Sequence, residues 1–176
     1  MTDTGWVMAG SGANVSGGGY AWSSPGNVTA EDGAAATVAL AKSQTSDYLK
    51  ATNFGLSPLV PAGATIDGVA VQIKRYGGSY FTDVLVQLLK AGSGAGSNYS
   101  AGAAWASSWE YKTFGGPTSL WGTTLTRDDV VNSGFGFWHE CEHVYASQTA
   151  HVDAMWVKVY FTSPASTNKG QFFALM

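Results

Sequence analysis

Between Val60 and Arg75 the chain reads Val-Pro-Ala-Gly-Ala-Thr-Ile-Asp-Gly-Val-Ala-Val-Gln-Ile-Lys-Arg. Val69, Val71 and Ile73 fall on one side of an extended backbone and Ala70, Gln72 and Lys74 on the other, a period of two that predicts a half-buried β-strand. Pro61 and Gly63 ahead of it mark a turn. Lys74 and Arg75 close the outer face, where they are expected to show charge to water. The same alternation predicts a strand from Phe81 to Lys90, with Val84, Val86 and Leu88 on one face, and another from Phe135 to Tyr145. It is clearest from His151 to Phe161, where Met155, Val157, Val159 and Phe161 are expected inward and Trp156, Lys158 and Tyr160 outward. Ala34 to Ala41 is rich in alanine, but Thr37 and Val38 favour a strand. Tyr48 to Phe54 completes the set of short strands.

Turns separate these runs. Pro25-Gly26-Asn27, Glu31-Asp32-Gly33 and Tyr76-Gly77-Gly78-Ser79 carry the residue types that reverse a chain. Residues 1–27, with Gly10, Gly12 and the run Gly17 to Gly19 around Trp6, Tyr20 and Trp22, read as an extended segment holding at most one short strand. Residues 91–104 read as a loop too small and polar to pack as an element. Trp105 to Trp121 carries three tryptophans and no assigned element, and Thr126 to Val130 reads as a connecting turn or a single helical turn. Seven or eight strands at even spacing, with no convincing helix, predict an all-β fold: an antiparallel β-sandwich, with a jelly roll as the expected arrangement. The expected organisation is a Gly/Ser-rich N-terminal arm over 1–27, one sandwich domain over 28–163 and a C-terminal arm over 164–176. That last segment turns apolar at Phe172, Phe173, Leu175 and Met176.

The chain has 176 residues, enough for one domain with a real core, and only 12% of them are charged. The net charge of -3 comes from scattered residues, which disfavours direct nucleic-acid binding because no basic cluster meets a row of phosphates. Cys141 stands alone, so no intrachain disulfide forms. Met1 to Gly5 carries neither a basic region nor an apolar run, so no secretory leader is expected, and no stretch is apolar enough for a membrane helix.

Three kinds of chemistry can be weighed. His139, Cys141 and His143 would share one face of a strand, with His151 able to approach from the next one, which makes the first three the candidates for a metal site. Same-face strand neighbours seldom converge on one ion, however, and no metal or other cofactor is expected. No serine sits in a Gly-x-Ser-x-Gly elbow, the paired Asp128 and Asp129 read as a helix cap, and no phosphate loop follows the glycines, so an enzyme is not expected. The aromatics Trp22, Trp105, Trp109, Trp121, Trp138 and Trp156, with Tyr99 and Tyr111, suit either stacking on sugar rings or filling a core or subunit interface. The second use is expected for most of them. Trp105, Trp109 and Trp121 are the glycan-binding candidates.

Trp22-Ser-Ser-Pro-Gly-Asn27 with Asp32-Gly33, Tyr48-Leu49, Phe54-Gly55, Pro61 to Gly68, Leu120-Trp121-Gly122 and Val152-Asp153 resemble the β-sandwich structural proteins of tailed bacteriophages. The resemblance spans about residues 22–162 and is a pattern of turns and core positions. It implies a virion protein assembled in a host cytoplasm: a capsid cement or decoration subunit, expected as a homotrimer, that binds the major capsid protein and stabilises the shell by mass action. Trp6, Phe172, Phe173, Leu175 and Met176 would then make assembly contacts. The His139 to His143 stretch and the Phe172-Phe173 tail depart from the pattern. The alternatives are a tail-fibre or baseplate component that binds host-surface glycans, and beyond it a carbohydrate-binding module or a metal-binding enzyme.

Overall fold

A computed structural model describes residues 1–100, 102 and 104–165 of the chain. In chain order its strands are β1 (Thr2–Asp3), β2 (Val7–Met8), β3 (Ser11–Val15), β4 (Ala36–Leu40), β5 (Gln44–Thr45), β6 (Tyr48–Thr52), β7 (Thr65–Tyr76), β8 (Phe81–Lys90), β9 (Ser93–Ala95), β10 (Glu110–Gly115), β11 (Gly136–His143) and β12 (Gln148–Thr162). A 3-10 turn covers Pro25–Val28, and one short helix, α1, covers Arg127–Val131. The helix is held by a capping box in which Thr126 and Asp129 satisfy each other's backbone N–H groups.

Two antiparallel sheets face each other. The front sheet centres on β12, with β7 and then β10 on one side and β4, β2 and β1 end to end on the other. The back sheet runs β3-β6-β11-β8-β9, with β5 beside β11. From β6 onward the long strands alternate between the sheets, so the chain crosses the sandwich at nearly every connection, and the result is a β-sandwich of the jelly-roll kind. Leu40, Leu49, Ile73, Phe81, Leu88, Phe137, Met155 and Val157 fill the space between, each contributing about 1.5–3 kcal/mol by leaving water. From Met155 on, the alternation of β12 largely holds: Met155, Val157, Val159 and Phe161 are buried and Lys158 and Tyr160 half-exposed, but Trp156, expected outward, is buried against Tyr111.

The structure departs from the sequence expectation at four further places. Residues 2–15 supply three strands, not one, and extend both sheets: Thr2 pairs with Phe161, Val7 with Val157 and Ser11 with Thr52. The glycine run behind them wraps the Asp47 carboxylate, which accepts from Gly17 and Gly19 N–H and from the Asn14 amide. A side chain at Gly17 would sit 2.8 Å from the Tyr48 ring. Residues 93–95 form a hairpin strand on β8, where an unstructured loop was expected. The unassigned tryptophan-rich segment contains β10, and Gly115 at its end adopts φ 73° so that the Trp121 indole N–H can donate to Val69 O. Val84 does not join Val86 and Leu88 in the core. A bulge in the β8–β11 ladder leaves it half-exposed and turns Phe81 and Asp83 inward instead.

Candidate functional site

Consecutive residues of β7 carry two clusters of similar composition on opposite faces of the front sheet. Arg75, expected outward, faces the core, because period two places it with Val69, Val71 and Ile73 rather than with Lys74. Its guanidinium pairs with Asp83 from β8 and, through Nε at 3.0 Å, with Glu110 from β10, and it lies 4.5 Å from the centroid of the Trp105 ring. Asp83 Oδ1 also accepts from Trp105 Nε1 at 3.1 Å and from His139 Nε2 at 2.9 Å. Burial drives His139 towards the neutral imidazole and the Asp83 bond only partly offsets this, so its pKa lies below the ordinary histidine value. Burial also opposes ionisation of Asp83, but the bond from His139 and the charge of Arg75 prevail and hold its carboxyl below the usual range.

Of the proposed metal residues only His139 joins this sealed cluster. His139, Cys141 and His143 do share the inner face of β11, but His139 is taken by Asp83, Cys141 bonds Ser46, and His143 Nε2 lies 3.3 Å from Gln148 Oε1. Burial pushes the Cys141 thiol well above its ordinary pKa, away from the thiolate a metal needs. His151 stacks flat on Tyr76, ring centroids 4.3 Å apart, on the outer face of the front sheet, away from the other two. Among the described residues no three His, Cys, Asp or Glu side chains are grouped to hold an ion. Two of the three glycan candidates are corrected as well. Trp105 is 2% and Trp121 0% exposed; Trp105 packs on Phe81 and Arg75, and Trp121 stacks on Tyr99, so neither ring has a free face. Phe172, Phe173, Leu175 and Met176 lie outside the described residues.

Trp109 is different. It is 39% exposed just ahead of β10, and Tyr111, which contacts the same Lys74 on the outer face, is 55% exposed. Both are held in place. Trp109 meets Tyr76 edge-on at 4.5 Å, Tyr111 lies against Trp156 at 5.9 Å, and Lys74 Nζ sits 5.4 Å and 5.9 Å from the two ring centroids. Lys74 in turn pairs with Glu31 Oε1 at 3.0 Å and Asp153 Oδ2 at 2.7 Å, and the Tyr111 hydroxyl donates to Glu31. The Tyr111 bond, followed by Lys74, keeps Glu31 below the usual carboxylate range, while the bonds to Asp153 and Glu31 hold Lys74 above its ordinary value despite desolvation. Gln72 and Thr113, bonded to each other at 3.0 Å, continue the polar rim along the same face. Further along β12, Lys158 lies 4.8 Å from the centroid of Trp6, which is 37% exposed. Trp6 thus belongs to this face too.

The arrangement is an open aromatic platform with charged and amide groups at its edge, a surface able to stack a ring and hydrogen-bond its substituents. Sequence reasoning found Trp109 and named Tyr111 among the aromatics. It missed Lys74, Glu31, Asp153 and Tyr76. The alternation Trp109, Tyr111, Thr113 within an unassigned segment was the available signal for the stripe.

No family model and no curated protein matches the sequence. Two solved structures resemble the fold. One is the carbohydrate-binding module TmCBM61 in complex with β-1,4-galactotriose, 12% identical, covering 87% of this chain and 87% of that one at a TM-score of 0.33. The other is the N-terminal cellulose-binding domain of Cellulomonas fimi β-1,4-glucanase C, 13% identical, covering 91% of this chain and 89% of that one, also at 0.33. The likeness is one of fold. The functional argument rests on the platform itself.

Proposed function

We propose that the protein is a non-catalytic carbohydrate-binding β-sandwich whose site is the outer face of the front sheet around Trp109 and Tyr111. One observation carries the reading: two neighbouring rings stand partly open to solvent yet are held in place by contacts with Tyr76, Trp156 and Lys74. A fixed ring loses little conformational freedom on binding, which favours stacking against the C–H face of a sugar. The groups that a sugar's hydroxyls need stand beside the rings: the Glu31 carboxylate and the Gln72 amide. A protein partner is less well matched by a polar-rimmed pair of rings than by a contiguous apolar patch.

On a phage particle the same face would hold host-surface glycans, which joins this reading to the virion context implied by the sequence resemblance. The capsid-cement role draws on Trp6 and on the tail beyond residue 165, and Trp6 lies on the proposed glycan face. A glycan array probed with the wild type, Trp109→Ala and Trp138→Ala tests the proposal. Trp138 lies on the back sheet, packed on Tyr48, and serves as the control. Binding by the wild type and Trp138→Ala, with about a tenfold or greater loss in Trp109→Ala, supports it. Binding that survives Trp109→Ala, or no binding by the wild type to any glycan, contradicts it.

A further inference from the structure

We infer that this face selects neutral glycans over acidic ones. The inference rests on the glycan reading and follows from how the charges around the rings are arranged. Lys74 is the cation against both Trp109 and Tyr111, but it is already paired with Glu31 and Asp153. One cation against two carboxylates leaves the cluster with a net negative charge. The carboxylates differ in access. Asp153 is buried and occupied by Lys74 and by Gly33 N–H, whereas the Glu31 side chain is 35% exposed and lies beside the open Tyr111 ring. Glu31 therefore presents the charge that an incoming sugar meets first.

A hydroxyl can donate to Glu31, so a neutral hexose gains a charge-assisted hydrogen bond there. A uronate or sialate carboxylate placed on the same rings meets Glu31 as a like charge, and Lys74 is not free to compensate it. His151, stacked on Tyr76 at the same end of the face, is disfavoured as a cation by partial burial. The other cation of this face, Lys158, lies with Trp6 and Tyr160 further along β12. The structure thus assigns Glu31 as the specificity-determining residue.

Affinity electrophoresis through gels containing hydroxyethylcellulose, galactomannan or xyloglucan, and separately polygalacturonate, alginate or hyaluronan, tests the inference for wild type and Glu31→Gln. The expected result is retardation of the wild type on at least one neutral gel, at least about tenfold weaker retardation on every acidic gel, and a narrower ratio in Glu31→Gln. Equal or stronger retardation of the wild type on an acidic gel overturns the selectivity, and an unchanged ratio in Glu31→Gln overturns the assignment of Glu31, each leaving the glycan reading in place. No retardation on any of the six overturns both. Circular dichroism of Glu31→Gln matching the wild type shows that a changed ratio reflects the charge and not the fold.

Discussion

Lys74 and Arg75 are chain neighbours on β7, and each is a cation held by two carboxylates against a tryptophan. Arg75 has Asp83, Glu110 and Trp105; Lys74 has Glu31, Asp153 and Trp109. The difference is access to water. Arg75, Asp83 and Trp105 are sealed between the sheets, so every partner they have is already fixed and the cluster can only determine how the two sheets meet. Around Lys74 the rings are open on one side and Glu31 is partly solvated. Similar chemistry is structural where water is excluded and available for binding where it is not.

The largest effect should come from breaking the inner cluster. Arg75→Met leaves Asp83 as a buried charge without its cation, and urea unfolding should show a loss of about 3–5 kcal/mol. Adding Asp83→Leu should return part of that loss, since removing both charges is far less costly than orphaning one. Trp105→Ala should cost about 3–5 kcal/mol through its cavity and the lost indole bond to Asp83.

A pH series sharpens the contrast further. His139 has a folded pKa below its unfolded value of about 6.5, so as pH falls from 7 towards 5.5 the unfolded chain takes up a proton that the folded chain refuses. Stability should therefore fall across that window, by up to about 1.4 kcal/mol per pH unit, and His139→Gln should flatten the slope. His151, lowered by burial, contributes a slope of the same sign. Asp83 contributes at lower pH: its stabilisation is complete above about 3.9 and is lost as pH falls through its depressed folded value.

Thr126→Ala removes one half of the α1 capping box and should cost about 1 kcal/mol by the same unfolding measurement. Trp109→Ala, outside the sealed core but packed on Tyr76 and Lys74, should cost about 1 kcal/mol. Its proposed effect is on binding. A Trp109→Ala loss as large as that of Trp105→Ala would erase the distinction between the two clusters.

The sandwich was legible because long strands such as β12 carry their period in side chains that must be buried. The N-terminal strands were not. Two-residue strands such as β1 and β2 hold by backbone bonds to β12, and so short a run has no side-chain period to read. Arg75 was misplaced because its charge was allowed to override the alternation that put it inward. The bulge at Val84, which sends Asp83 into the core to meet it, leaves no mark in composition. At the outer face Trp109 and Tyr111 were visible as aromatics, but nothing local distinguishes them from Trp105 or Trp121. Glu31 lies 80 residues from Tyr111 in sequence, and only the pairing of β12 with β4 and β7, and of β7 with β10, brings them together.

The most direct test of the outer face as a glycan site is an ¹H–¹⁵N titration of the uniformly labelled protein with the best-binding oligosaccharide from the array, following the indole N–H signals of its seven tryptophans. Binding on the proposed face should shift the Trp109 signal and, to a smaller extent, that of Trp156 against Tyr111, while Trp105 and Trp121 stay in place. Saturable binding that moves Trp138 on the back sheet and leaves Trp109 unmoved would contradict the account.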